Sequence, residues 1–234
     1  MLFKMEVITM KKRIITVLLA VVLLMPVVTP AVYAGDLLDS KKVYYTEESD
    51  YEEGDCILTA TRMMIRRAAI MRHKTGWAEI TNKSLRKDAT TDGLLLYSFC
   101  YNAGGDSYNV ASGSFKGEGS SARIAEFENL LKSHPEGIVV WGIDAAKTGT
   151  HGVLVVKVEN GQAYAMDSSY NIGMFSEGIQ KWSDTTMLDP SLVTDYWYID
   201  NINHDKSGIA AETPEIRYSK NKHFNMLRLH ITTV

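Results

Sequence analysis

The reading turns on the stretch His151-Gly152-Val153-Leu154-Val155-Val156-Lys157-Val158-Glu159-Asn160-Gly161-Gln162-Ala163-Tyr164-Ala165-Met166-Asp167. An apolar run, an Asn-Gly pair and a returning segment make a β-hairpin, for which Asn-Gly is the strongest short-range signal. Antiparallel pairing sets the end of the second strand beside the start of the first. Asp167 is therefore expected to reach His151. Further strands are expected at Ile138 to Ile143 and at Thr194 to Ile199, so the second half of the chain reads as antiparallel sheet.

The first half reads differently. Ile57, Ala60, Met64, Ala68 and Met71 recur at steps of three or four, which predicts an amphipathic helix from Cys56 to about Arg72. Arg62, Arg66, Arg67 and Arg72 fall on its other faces. Thr81 caps a short helix through Leu85, and Asp92-Gly93 turns the chain into an apolar segment, Leu94 to Tyr101, that Gly104-Gly105-Asp106 breaks. Ser120 or Ser121 caps a second amphipathic helix, buried through Ile124, Phe127, Leu130 and Leu131 and ended by Pro135 and Gly137. Helices followed by strands predict an α+β fold, with an N-terminal helix packed on a mostly antiparallel sheet.

Composition bounds the function. The chain has 234 residues, 45% hydrophobic and 23% charged, enough for a real core. Lys11, Lys12 and Arg13, the apolar run Ile14 to Met25 and the ending Ala31-Val32-Tyr33-Ala34 form the three regions of a secretory signal, with cleavage expected after Ala34. Losing Lys4, Lys11, Lys12, Arg13 and Glu6 with that leader takes the formal charge from −3 to −6, so nucleic-acid binding has no electrostatic support. The expected organisation is a signal peptide over 1–34, an acidic, exposed segment over 35–54, a domain over 55–201 and a C-terminal extension over 202–234. The product is expected to be secreted and free of the membrane once cleaved.

Two cysteines and six histidines are the candidates for chemistry. Cys56 opens a helix, where backbone N–H groups and the macrodipole favour a thiolate. Cys100, in Leu94-Leu95-Leu96-Tyr97-Ser98-Phe99-Cys100, reads as a small buried side chain. The plain alternative for a secreted protein is a Cys56–Cys100 disulfide. His151 begins a buried strand that fixes its backbone, which makes it the best candidate base. A carboxylate at Asp167, accepting from one ring nitrogen, would leave the other free to take the thiol proton; the plainer readings are a solvent-facing histidine and a strand-ending aspartate. No close-spaced ligand pairs favour a metal, and no cofactor is expected.

These residues, in the order Asp55-Cys56-Ile57-Leu58-Thr59-Ala60, His151-Gly152-Val153-Leu154-Val155-Val156, Asn160-Gly161, Tyr164-Ala165-Met166-Asp167 and Tyr196-Trp197-Tyr198-Ile199, resemble the papain-like cysteine peptidases typified by bacteriocin-leader peptidases, and their stand-alone secreted relatives. The resemblance spans nearly all of Cys56 to Ile199. It implies a papain-like fold, a Cys56-His151-Asp167 triad and a peptide or protein substrate. One departure stands out: the family's Gln about six residues before the Cys, an oxyanion donor, has no counterpart in Ser49-Asp50-Tyr51-Glu52-Glu53. Two alternatives stay open. One is a catalytically inactive papain-like domain that binds a peptide or protein, and the other is a cell-wall cysteine amidase or endopeptidase, against which Ile57-Leu58 stand where that class has Ser-Gly.

Overall fold

The Asn160-Gly161 turn closes the expected hairpin in the computed structural model, which describes residues 38, 50–52, 54–143, 149–168, 179–182 and 189–204. The leader, most of the acidic segment and nearly all of the C-terminal extension lie outside the described residues. Among the described residues no helix is long and apolar enough to cross a membrane.

The elements run α1 (Cys56–Met71), a 3-10 helix (Thr75–Glu79), α2 (Asn82–Ala89), β1 (Thr90–Thr91), β2 (Leu94–Leu95), β3 (Phe99–Ala103), β4 (Asp106–Ser114), α3 (Gly119–Ser133), β5 (Ile138–Ile143), β6 (Thr150–Glu159), β7 (Gln162–Asp167), β8 (Gln180–Lys181), a 3-10 turn (Pro190–Leu192) and β9 (Val193–His204). Strands β1 and β2 form a small hairpin around Asp92-Gly93, and the other seven make one sheet in the order β3-β4-β9-β5-β6-β7-β8. Every pairing in it is antiparallel. The fold is α+β, with a mostly antiparallel sheet, as the sequence pattern predicts.

Helix α3 covers one face of this sheet. Its Phe127 packs with Ile138 and Val140 of β5, Val153 and Val155 of β6, and Ala163 and Ala165 of β7, and it stacks on Trp182 at 5.6 Å between ring centroids. The alternating residues Val139 and Leu154 are buried too and so face the other way, where α1 packs on β5 and β6. A sheet covered on both faces explains the near-continuous apolar runs of β5 and β6.

Three sequence expectations about these elements change, and one strand is added to them. Helix α1 is buried all round: Arg62, Arg66 and Arg67 are at most 7% exposed instead of forming a solvated face. Buried guanidinium groups need acceptors, and loop carbonyls supply them. Arg66 donates from Nε to Ile80 O at 2.7 Å and from Nη2 to Ala78 O at 3.2 Å; Arg67 donates from Nε to Glu136 O at 2.7 Å. The acidic approach is not all exposed either, because Asp50 accepts from the backbone N–H groups of Asn82 and Lys83 at 2.7 and 2.8 Å and meets Arg62 at 3.9 Å. The Leu94–Tyr101 strand is two strands, β2 and β3, because the chain leaves the small hairpin before joining the sheet. Strand β4 escapes an apolar-run reading, since Ser107-Tyr108-Asn109-Val110 alternates polar with apolar residues.

Candidate active site

Helix α1 begins at Cys56, with Asp55 as its N-cap residue. Helix geometry leaves the first N–H groups without intrahelical partners, and the Asp55 side chain makes no capping bond to them. The Cys56 side chain is thus set at a helix end rich in positive partial charge. Cys56 is 8% exposed. Both cysteines are free thiols, which removes the disulfide reading. Cys100, expected to be buried, is instead half-exposed on β3, the first strand of the sheet order, where burial still pushes its thiol upward.

His151 comes from the opposite side of the site, at the rim of the sheet, one residue into β6. Its Nε2 lies 2.9 Å from Asp167 Oδ1, and the Cys56 side chain is close enough to the ring to act on its pKa. With Nε2 engaged by the carboxylate, Nδ1 is the nitrogen left for sulfur. Burial alone would lower the imidazole's pKa; its hydrogen bond to Asp167 and its electrostatic interactions with Asp167 and Cys56 oppose this and raise it to about 10. That shift favours the imidazolium form. The structure brings Cys56, His151 and Asp167 together at one site, with His151 hydrogen-bonded to Asp167.

Two features of this geometry lie outside the sequence reading. The first is a bulge. From Glu159↔Gln162 the hairpin pairs regularly to Lys157↔Tyr164, but the next pair is Val155↔Ala165, with Val156 left over. An extra residue on one strand reverses which face the following residues share. Regular pairing would have set Asp167 opposite Leu154, on the face away from His151. The bulge instead pairs Asp167 with Val153, the same-face neighbour of His151.

The second feature is Gly152. A Cβ placed there would lie 2.9 Å from Ile57 Cα and 3.1 Å from Ile57 Cβ, closer than carbon atoms tolerate. Only glycine lets the first turn of α1 press onto β6, and that approach is what delivers Cys56 to His151. A glycine inside an otherwise apolar strand, next to a candidate base, is the sequence signal for such a close approach.

Asp50, six residues before Cys56, cannot donate a hydrogen bond as a carboxylate, and it serves to hold the first turn of α2. Among the described residues no group of three or more His, Cys, Asp or Glu side chains is arranged to hold a metal ion. No family model, curated protein or solved structure matches the chain.

Proposed function

We propose that this protein is a secreted, papain-like cysteine peptidase that hydrolyses peptide bonds with Cys56 as nucleophile, His151 as acid and base, and Asp167 as the group that orients the imidazole. The observation that carries the reading is the cluster itself: His151 hydrogen-bonded to Asp167 at 2.9 Å, with the Cys56 side chain beside the same ring.

The chemistry follows from the charges. Cys56 Sγ, as a thiolate beside the imidazolium, attacks the peptide carbonyl carbon, and the carbonyl oxygen takes up the electron pair as an oxyanion. The α1 N-terminus supports that charge through its backbone N–H groups. The imidazolium gives its proton to the departing amine as the C–N bond breaks, leaving a thioester. Neutral His151 then takes a proton from water, whose oxygen attacks the thioester; the acid product leaves and the thiolate returns. Asp167 keeps the ring aligned throughout.

The test is the alkylation rate of each cysteine by iodoacetamide, followed by mass spectrometry across pH. Under this reading Cys56 labels fast, with a rate nearly flat from pH 6 to 9, and His151→Ala slows it and restores the rising profile of an ordinary thiol. Labelling of Cys56 no faster than Cys100, and indifferent to His151→Ala, would sink the proposal. The second reading, a catalytically silent papain-like domain that binds a peptide, is favoured by Asp50 standing where a donor amide is expected; it requires a reactive Cys56 that forms no acyl-enzyme with any peptide ester.

A further inference from the structure

We propose that Arg86, on the last turn of α2, is a positioning residue for Cys56: it holds the Asp55 carboxylate off the start of α1 and offsets its charge. The inference rests on the reading of Cys56 as the nucleophile.

An aspartate at an N-cap position ordinarily turns its carboxylate onto the N–H groups of the first helical turn. Asp55 does not. Its Oδ1 accepts from Arg86 Nη1 at 2.9 Å, and its Oδ2 accepts from Arg86 Nη2 and from the backbone N–H of Glu52 at 2.9 Å. The carboxylate is sealed in, with Asp55 only 5% exposed, so water does not substitute for the guanidinium. Arg86 is itself braced. Thr81 and Ser84 form a reciprocal cap at the start of α2, Asp50 holds the next two N–H groups, and Glu52 meets Arg86 at 3.3 Å.

The consequence concerns the neighbouring sulfur. With its carboxylate turned to Arg86, Asp55 leaves the first-turn N–H groups of α1 to the thiolate and to the oxyanion that replaces it. That matters more here than in a site with a donor amide, since Asp50 cannot donate. Without Arg86, the buried carboxylate next to Cys56 loses the cation that offsets it, and its full negative charge stands against the thiolate. The charged groups around this corner are Asp50, Glu52 and Asp55 on the incoming segment, Arg62 on α1, Arg86 on α2, and His151 from the sheet.

The experiment measures Cys56 alkylation against pH, with a thermal melt, in Arg86→Met, Arg86→Lys, Asp55→Asn and the double variant Asp55→Asn/Arg86→Met. Arg86→Met should move the labelling midpoint up by about one pH unit, which slows labelling about tenfold at pH values below that midpoint. The double variant should recover most of the wild-type rate, because the neutral amide no longer opposes the thiolate; a merely structural arginine would not be rescued this way. Arg86→Lys keeps the charge without the fork, so it should fall between and supplies a folded comparison if Arg86→Met melts early. Wild-type labelling in both Arg86 variants, or a double variant as slow as Arg86→Met, overturns the proposal. If the wild-type protein keeps its His151-dependent reactivity in that case, the inference fails alone; if that dependence is missing, the nucleophile reading fails and takes this one with it.

Discussion

Replacing Gly152 by alanine tests whether close approach of α1 to β6 assembles the site. The added methyl would sit 2.9 Å from Ile57 Cα, 3.0 Å from its Cδ1 and 3.1 Å from its Cβ. Carbon pairs settle at about 3.5–4.0 Å, so the overlap is roughly 0.6–1 Å. The Cδ1 clash is relieved by rotating the Ile57 side chain, but the Cα clash is with backbone and requires α1 to move. Overpacking of this kind costs about 1–3 kcal/mol, on the order of 5 °C in melting temperature for a chain of this size. The displacement falls on Cys56, the residue before Ile57, and a misplacement of about 1 Å costs on the order of a hundredfold in rate. The assay pairs a thermal melt with iodoacetamide labelling of Cys56 at pH 7. Labelling in Gly152→Ala should drop to the level of His151→Ala, and adding Ile57→Ala should recover it only in part, because Cα remains. A Gly152→Ala protein with wild-type melting and wild-type labelling would refute the reasoning.

Two further outcomes concern stability. Burial pushes the Glu136 carboxyl up to about 7, against the pull of its own backbone N–H and of Arg67. The folded protein thus holds a proton that the unfolded chain releases near its ordinary 4.5. That stability is complete below pH 4.5 and lost as pH rises through 7. The unfolding free energy should therefore fall between pH 5 and pH 8 by on the order of 2–3 kcal/mol, and the melting temperature with it, and Glu136→Gln should flatten the slope. Asp106 behaves oppositely: burial opposes its ionisation, but Lys74 Nζ at 2.8 Å, Arg72 Nε at 2.9 Å and His204 Nδ1 at 3.0 Å hold it down to about 2. Its stabilisation is present above the ordinary carboxylate range and lost as pH falls through 2. Asp106→Asn should lower the urea midpoint at pH 7 by the equivalent of about 2–3 kcal/mol, while leaving Cys56 labelling unchanged.

Local signals carried most of the element list. Thr81 caps α2, Asn160-Gly161 turns the hairpin, Ile138 to Ile143 is β5 to the residue, and Phe127 anchors α3 on the core. Elsewhere the local pattern misled. Ser120 and Ser121 lie inside α3, whose N-cap is Glu118. Arg62, Arg66 and Arg67 look like a solvated face because long cations usually are one; their buried heads meet partners distant in sequence, the carbonyls of Ala78 and Ile80 for Arg66, that of Glu136 for Arg67 and the Asp50 carboxylate for Arg62.

The sequence by itself determined that a thiol opens a helix and that an imidazole opens a buried strand, because periodicity and turn chemistry are properties of neighbouring residues. It also placed Asp167 near the right end of the hairpin. Which face Asp167 takes was decided by the bulge at Val156, and a one-residue change in strand register is invisible to a pattern of period two when both faces are apolar. The meeting of Cys56 with His151 was likewise a tertiary decision. It depends on Ile57 reaching the backbone of Gly152 and on Arg86 holding Asp55 aside, contacts between segments that only packing brings together.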